Sequence, residues 1–423
     1  MGIGLGKGAA DAMSKPEPIA SARTSRSGAL RRRLGPVLLV LYGTGVTVGA
    51  GIYVLIGPVA ANAGLYSPWA FFFAAVVMGL TVASYAELCT RFPVAAGEAA
   101  YVRQAFRSPV LSRLTGFLMI ITAVVASATV ALGASGYIAQ FIDWPRSVVV
   151  MLVLAALATV SIWGVLESVL LASLFTVIEI GGLAIIVVFG LINSPSDILL
   201  FSIPSDSLPS WPGIIFATVL AFFAFIGFED LTNMAEETIA PERVMPIAMG
   251  MTLLATTVLY MLVVAVAVTS IPVNELAASE APLSEVFTRL TGVSSAVIGL
   301  IAIVATLNTI LAEMTMATRV LYGMARQGDL PRHFGFVHHH TSTPVLATLL
   351  VAALIFLLTL VVPFIQLAEA TSVATLTIFA LVNLALIRIR LRDGRGPHFS
   401  APLWMPVAGL LTSIGLIVGL AAQ

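Results

Sequence analysis

Apolar runs of bilayer-crossing length recur along this chain, separated by short polar segments. The pattern predicts eleven spans, near 36–60, 68–90, 112–141, 146–163, 170–193, 211–238, 244–271, 293–324, 343–362, 366–388 and 402–422. A hydrocarbon core takes about 20 apolar residues in helical form. Runs such as Val148 to Trp163 and Leu170 to Asn193 have that length and almost no charge. Lipid offers no partner to an open backbone, so each run reads as a helix. Trp69, Trp144, Trp163, Trp211 and Trp404 fall near span ends, as interfacial aromatics do.

Two spans depart from the pattern. The first carries "GTGVTVGAGIYVLIG" (43–57), in which five of fifteen residues are glycine. The sixth carries "AFFAFIGFEDLTNMAEE", with Gly227 at its centre and acidic residues behind it. A glycine inside a helix costs roughly 1 kcal/mol relative to alanine. Gly45, Gly49 and Gly51 therefore predict a first span that unwinds at mid-membrane, and Gly227 a sixth that does the same. Unwound backbone at that depth is tolerated only around a cavity. A half-helix beginning near Gly51 would point its positive end at an anion such as a carboxylate. A half-helix ending near Phe223 to Ile226 would offer carbonyls to an ammonium. One site so built favours an α-amino acid. The plain alternative is that the glycines let helices pack closely.

The two breaks lie five spans apart, the spacing of an inverted-repeat transporter. The expected fold is an all-α polytopic membrane protein with a 5+5 inverted repeat and broken helices 1 and 6. Repeat one covers about 36–193, repeat two about 211–388, and an additional helix about 402–422. Together they form a transmembrane domain over 36–423. Residues 1–35 are polar, end in "RRR" before the first span, and read as a disordered cytosolic tail.

Composition supports the class. Of 423 residues 59% are hydrophobic and 10% charged, with a mean hydropathy of +1.03. Soluble domains carry about 25% charged residues, so composition argues against a soluble globule. The formal net charge of zero hides an uneven distribution. With the N-terminus in the cytosol, 19 of the 21 Lys/Arg fall on inner segments, and only Arg146 and Arg289 fall outside. That asymmetry predicts a cytosolic N-terminus. The single cysteine, Cys89, cannot form an intrachain disulfide, and no cleavable signal is visible.

Four segments resemble the amino acid–polyamine–organocation superfamily of secondary transporters. "GVTVGAGIYVLIG" is similar to its first-helix signature, and "SYAELCTRFPVAAGEAAYVRQAF" (84–106) to its second helix and following loop. "FFAFIGFEDLTNMAEETIAPERVMPIAM" (222–249) resembles the sixth-helix signature, and "TRVLYGMARQGDLPRHF" (318–334) the end of the eighth helix. The resemblance implies that the amides of Ala50 and Gly51 hold the substrate carboxylate. It implies that the carbonyls of Phe223, Ala224 and Ile226 hold the α-amino group, with Phe223 as an aromatic lid. Glu229 falls where the family often has an acidic residue linked to gating. Three features depart from the pattern. Eleven spans are legible where the family usually has twelve, and Ala240-Pro241 stands where relatives often read "NP". The fifth-helix lysine of one proton-coupled branch is absent, with Glu179 at about that position.

Ionisable groups at membrane depth are costly, and function is their default reading. Glu179, Glu229 and Glu313 stand out as coupling or gating residues. They could relay a proton, coordinate a cation or receive a basic substrate side chain; the plain alternative is a neutral, hydrogen-bonded glutamate that fixes packing. Spans five and eight both approach the first helix in such a fold, so Glu179 and Glu313 are expected to share a site. Glu87 lies one turn before Arg91 and reads as a structural ion pair.

Other motifs carry less. "HHH" (338–340) has no acidic or cysteine partner at ligand spacing and reads as a solvated loop, so no metal is expected. "GASG" (133–136) matches the serine motif of intramembrane rhomboid proteases, but all five histidines lie in loops, out of reach of Ser135. No P-loop, zinc-protease motif or dinucleotide fingerprint appears. The expectation is therefore a non-enzymatic, cofactor-free carrier of amino acids working by alternating access and coupled to a proton, with sodium as the open alternative. A polyamine or cationic amino acid exchanger is the second reading, and a non-transporting amino acid sensor the third. The partners are a small amino acid and the lipid bilayer, not nucleic acid, in a plasma or bacterial inner membrane.

Overall fold

The computed structural model describes residues 34–92, 97–163, 169–193, 210–326, 328, 330–336, 343–396 and 399–421. Among them the structure is helical, with one isolated bridge between Leu34 and Thr238. Among the described residues, eight helical stretches are long and apolar enough to cross a membrane, and three shorter apolar helices accompany them. Most of the tail, the "HHH" segment and His398 lie outside the described residues.

The first predicted span is two helices, α1 (Pro36–Val48) and α2 (Gly51–Ala63). A 3₁₀ turn leads into α3 (Ser67–Arg91). Then come a short α4 (Gly97–Phe106), α5 (Pro109–Ala139), α6 (Arg146–Trp163) and α7 (Val169–Asn193). The sixth predicted span, 211–238, is not one helix. It is α8 (Trp211–Phe223), a turn, and a 3₁₀ segment (Phe228–Glu237). The remainder is α9 (Pro241–Ser270), α10 (Val273–Ala278), α11 (Pro282–Thr291), α12 (Ala296–Arg326), α13 (Val345–Val361), α14 (Phe364–Asp393) and α15 (Trp404–Ala421).

Local chemistry explains many of these starts. Proline occupies the first turn of α1, α3, α5, α8, α9 and α11, where its missing N–H costs nothing. The Ser108 hydroxyl accepts the Leu111 N–H at the head of α5 (3.3 Å). Inside the spans, threonines return their hydroxyls to the carbonyl one turn back, as Thr47 does to Gly43 (2.8 Å) and Thr122 to Leu118 (2.8 Å). That removes the cost of a hydroxyl in lipid. Outward faces stay apolar: Leu346, Leu349, Leu357 and Leu360 of α13 are all exposed.

Helix pairing follows a rule. α2 packs on α8, α3 on α9, α5 on α12 and α6 on α13, so each of the first four predicted spans meets the one five later. α1 also lies on α7, as α8 does on α14. With no hydrophobic drive between helices in lipid, these contacts depend on close approach and hydrogen bonds. A Cβ on Gly133 of α5 would lie 2.2 Å from Val54 Cγ1 of α2.

Candidate functional site at the helix breaks

The candidate site lies where the α1–α2 segment and α8 lose helical continuity. α1 ends at Val48, and the Gly49 N–H closes its last turn on the Gly45 carbonyl (3.1 Å). α8 ends at Phe223, and Gly227 at the end of the turn has φ +111°, a conformation L side chains rarely adopt. The two interruptions touch. A Cβ on Gly51 would lie 2.4 Å from Ala224 Cα, and one on Gly227 would lie 2.9 Å from Val46 Cγ1 and 3.0 Å from its carbonyl oxygen. Any larger residue at Gly51 must push the two backbones apart.

Tyr260 of α9 ties the interruptions together. Its buried hydroxyl lies 2.7 Å from the Thr47 carbonyl and 2.8 Å from the Ala224 carbonyl. A phenol has one proton, so it can donate to only one of these carbonyls at a time. The other is left for a different donor.

The remaining residues expected at the breaks fall as follows. The Ala50 N–H donates to Thr309 Oγ1 of α12 (3.1 Å), and that hydroxyl donates in turn to Ala305 (3.0 Å). Gly49 leaves room for Thr309, since a Cβ there would lie 2.5 Å from the hydroxyl. Gly45 sits inside α1, where its missing Cβ admits Thr176 of α7. Phe223 is buried, and its carbonyl accepts the Ile226 N–H (3.1 Å). Sequence reading missed Tyr260 and Thr309: single polar residues on apolar helices carry no pattern until their partners are known.

The three singled-out glutamates fall in two places, Glu229 and Glu313 in one cleft and Glu179 outside its lining. Glu179 of α7 is 1% exposed, and neither carboxylate oxygen has a hydrogen-bond partner among the described residues. The Tyr53 hydroxyl donates to its main-chain carbonyl (3.4 Å). Glu229 accepts the Gly227 N–H (2.9 Å) and so holds the turn at the second break. Glu229 and Glu313 line one cleft together with Glu98 and Asp230. Glu179 is not part of that lining, so the cleft joins Glu313 to Glu229 and not to Glu179. Met119, Met316, Ile226 and Phe379 supply apolar walls. Among the described residues no three carboxylate, His or Cys groups are grouped to hold a metal ion.

Glu98 and Asp230 were not singled out from sequence: Glu98 lies on a loop helix, and Asp230 stands beside the more prominent Glu229. Glu98 accepts the Tyr85 hydroxyl (3.0 Å), and burial pushes its carboxyl above the usual carboxylate range. Its helix is held by α14. Arg388 donates to the Ala105 carbonyl (3.0 Å) and stacks over the Phe106 ring (5.1 Å), and Arg392 donates to the Gln104 carbonyl (3.1 Å). These cations cap the C-terminal end of α4.

Two other sequence features have structural partners. Glu87 pairs with Arg91 (2.6 Å) and also with Arg390, and it accepts the Ala401 N–H (2.9 Å), all in a buried setting. Ser135 of "GASG" donates to the Leu132 carbonyl of its own helix (2.6 Å).

Comparison with known proteins bears on this architecture. Residues 34–422 match the family model described as "Amino acid permease". The chain is 29% identical over 384 residues to a vacuolar cationic amino acid transporter 4 of Arabidopsis thaliana, covering 85% of this chain and 64% of that one. It is 28% identical over 422 residues to the branched-chain amino acid permease BcaP of Bacillus subtilis (strain 168), covering 92% and 88%. A methylthioribose transporter of the same bacterium is 26% identical over 423 residues, covering 93% and 87%. With apolar helices throughout and a family match over nearly its full length, this chain is an integral membrane protein and belongs to the amino acid permease family.

Proposed function

We propose that the chain is a secondary active transporter that moves an amino acid by alternating access, with its N-terminus in the cytosol of a plasma or bacterial inner membrane. The observation that carries this reading is the junction of the two breaks, where Gly51 meets Ala224 and the Tyr260 hydroxyl can satisfy only one of two carbonyls at a time. A substrate carboxylate would take the amides at the head of α2, Ala50 and Gly51, displacing Thr309 from the first. Its ammonium would take the carbonyls that close α8, at Phe223, Ala224 and Ile226. Charges of opposite sign at the two half-helix ends select a zwitterion over either ion alone.

The pairing of spans n and n + 5 supports a 5+5 inverted repeat. In that arrangement one bundle rocks against the other about the break, and water reaches the site from one side at a time. Coupling to a proton falls to Glu179, whose carboxylate has no hydrogen-bond partner among the described residues and is costly as an anion until water or a cation arrives. Glu229, which holds the turn at Gly227, acts in gating, and Glu313 faces it across the cleft. The relatives' names include cationic and branched-chain amino acids and methylthioribose, so family membership leaves the side chain accepted open.

The test is Gly51→Leu in purified protein reconstituted into vesicles. The added side chain starts 2.4 Å from Ala224 Cα and fills the proposed carboxylate pocket. Uptake and binding of labelled amino acids are expected to be lost, while the variant still elutes as a folded protein. Unchanged binding and uptake would overturn the reading.

A further inference from the structure

Where α4 turns into α5, cations from two distant parts of the chain converge. Arg103 lies in the last turn of α4 and Arg107 just beyond it, and both are exposed. Arg388, Arg392 and Arg395, also exposed, come from the end of α14 and the residues after it. The two groups meet. Arg388 lies over the Phe106 ring, Arg392 donates to the Gln104 carbonyl, and Asp393 is within electrostatic reach of both Arg392 and Arg107. The nearby acids are already engaged: Asp393 accepts two bonds from Arg392 (2.7 Å each), and Glu98 is buried against Tyr85. Arg103, Arg107 and Arg395 have no side-chain hydrogen bond or ion pair among the described residues, and Arg388 donates through Nε alone. Like charges four residues apart on a helix repel, so an anion at this corner would stabilise α4.

A second observation concerns the backbone. Arg107 has φ +52°, and its N–H closes on the Arg103 carbonyl (2.8 Å). Glycine would take that conformation without strain, yet an arginine stands there. A third concerns the surface beside the cations. Val110, Leu114, Phe117 and Ile121 of α5 are exposed and recur at i, i+4, i+7 and i+11, one apolar face running from the corner into the span. On α14, exposed Leu384 and Leu391 flank Arg388 on one face.

Guanidinium groups take phosphate oxygens in a fork, and the positive end of α5 opens at the same corner. A soluble phosphate would need the cations only. The apolar face that continues from them suits a phosphate carried on acyl chains. We infer that the α4–α5 corner and the end of α14 form a binding site for an anionic phospholipid, with its headgroup among these arginines and an acyl chain along the exposed face of α5. The orientation proposed above puts the site in the inner leaflet; the lipid contact itself does not depend on the transporter reading.

The test offers equimolar phosphatidylglycerol and phosphatidylcholine, with the same acyl chains, to the full-length protein in neutral detergent and counts retained lipid by native mass spectrometry. Both lipids carry a phosphate, but only the first has a net negative charge. Phosphatidylglycerol is expected to be retained about 10-fold or more over phosphatidylcholine. Arg107→Gly should lower that preference about fivefold, the scale of one basic residue at an anionic surface. Glycine suits φ +52°, so this variant should keep a melting temperature close to wild type. Arg395→Gln, which changes an exposed side chain and no backbone, should lower the preference in the same direction. Arg243→Gln, at the head of α9, should leave it unchanged. Equal retention of the two lipids, or a preference unchanged in both Arg107→Gly and Arg395→Gln, would overturn the site. An equal fall in Arg243→Gln would assign the preference to total charge and overturn it as well. Displacement of the lipid by glycerol 1-phosphate at similar concentration would make this a free-phosphate site and overturn the lipid surface. None of these outcomes touches the transporter reading, because no transport is measured.

Discussion

At the scale of single residues, glycine decides whether the two broken segments can meet. Gly51 and Gly227 act for different reasons: one admits the backbone of Ala224, and the other adopts φ +111° while also fitting against Val46. Gly227→Ala should therefore cost more than an ordinary helix substitution, about 1–3 kcal/mol for a strained φ, and should lower the melting temperature of the purified protein. A melting temperature equal to wild type would mean that the turn relaxes freely. Glu87 is the strongest buried ion at this scale. It pairs with two arginines whose side chains are almost fully covered, and it joins α3 to the end of α14 and to Ala401. Glu87→Gln removes the carboxylate charge that two buried guanidinium groups share. The expected loss is about 3–5 kcal/mol, as for other broken buried pairs, read as a sharp drop in thermal stability in detergent. The Arg91 partner was legible from i, i+4 spacing; Arg390 was not, because nothing local ties position 87 to a residue on α14.

Among elements, α4 has an effect out of proportion to its length. It brings Glu98 to the cleft, and its C-terminal carbonyls are capped by cations from α14. Arg388→Ala removes one such bond and the stacking on Phe106, with an expected cost of about 1–2 kcal/mol. Proteolysis near α4 should then accelerate. Unchanged proteolysis would show that α4 is held by other contacts. The long apolar elements could be read from the chain because twenty uncharged residues have few alternative fates. The short ones could not. α4, α10 and α11 are loop helices with mixed faces, and the segment after Gly227 reads as membrane-length sequence yet folds as a 3₁₀ stretch. Acidic residues directly behind the glycine were the signal that this span changes character.

For the whole molecule, pairing of each early span with the one five later gives the architecture its internal logic. The all-helical, membrane-spanning class was legible in the apolar runs, whereas the convergence of Glu98, Asp230, Glu229 and Glu313 depends on tertiary folding that no periodicity encodes. Glu179 lies outside that cleft, on the helix packed against α1, and this position makes it the proposed proton carrier. Glu179→Gln should abolish accumulation driven by a proton gradient while exchange of internal for external amino acid continues. Accumulation that survives the substitution would remove Glu179 from the coupling step. The most direct measurement is uptake of a labelled amino acid mixture into proteoliposomes under an imposed inward proton gradient, with and without an uncoupler. The account predicts accumulation above equilibrium that collapses when the uncoupler is added. Accumulation that does not respond to the uncoupler, or binding with no uptake at all, would contradict it.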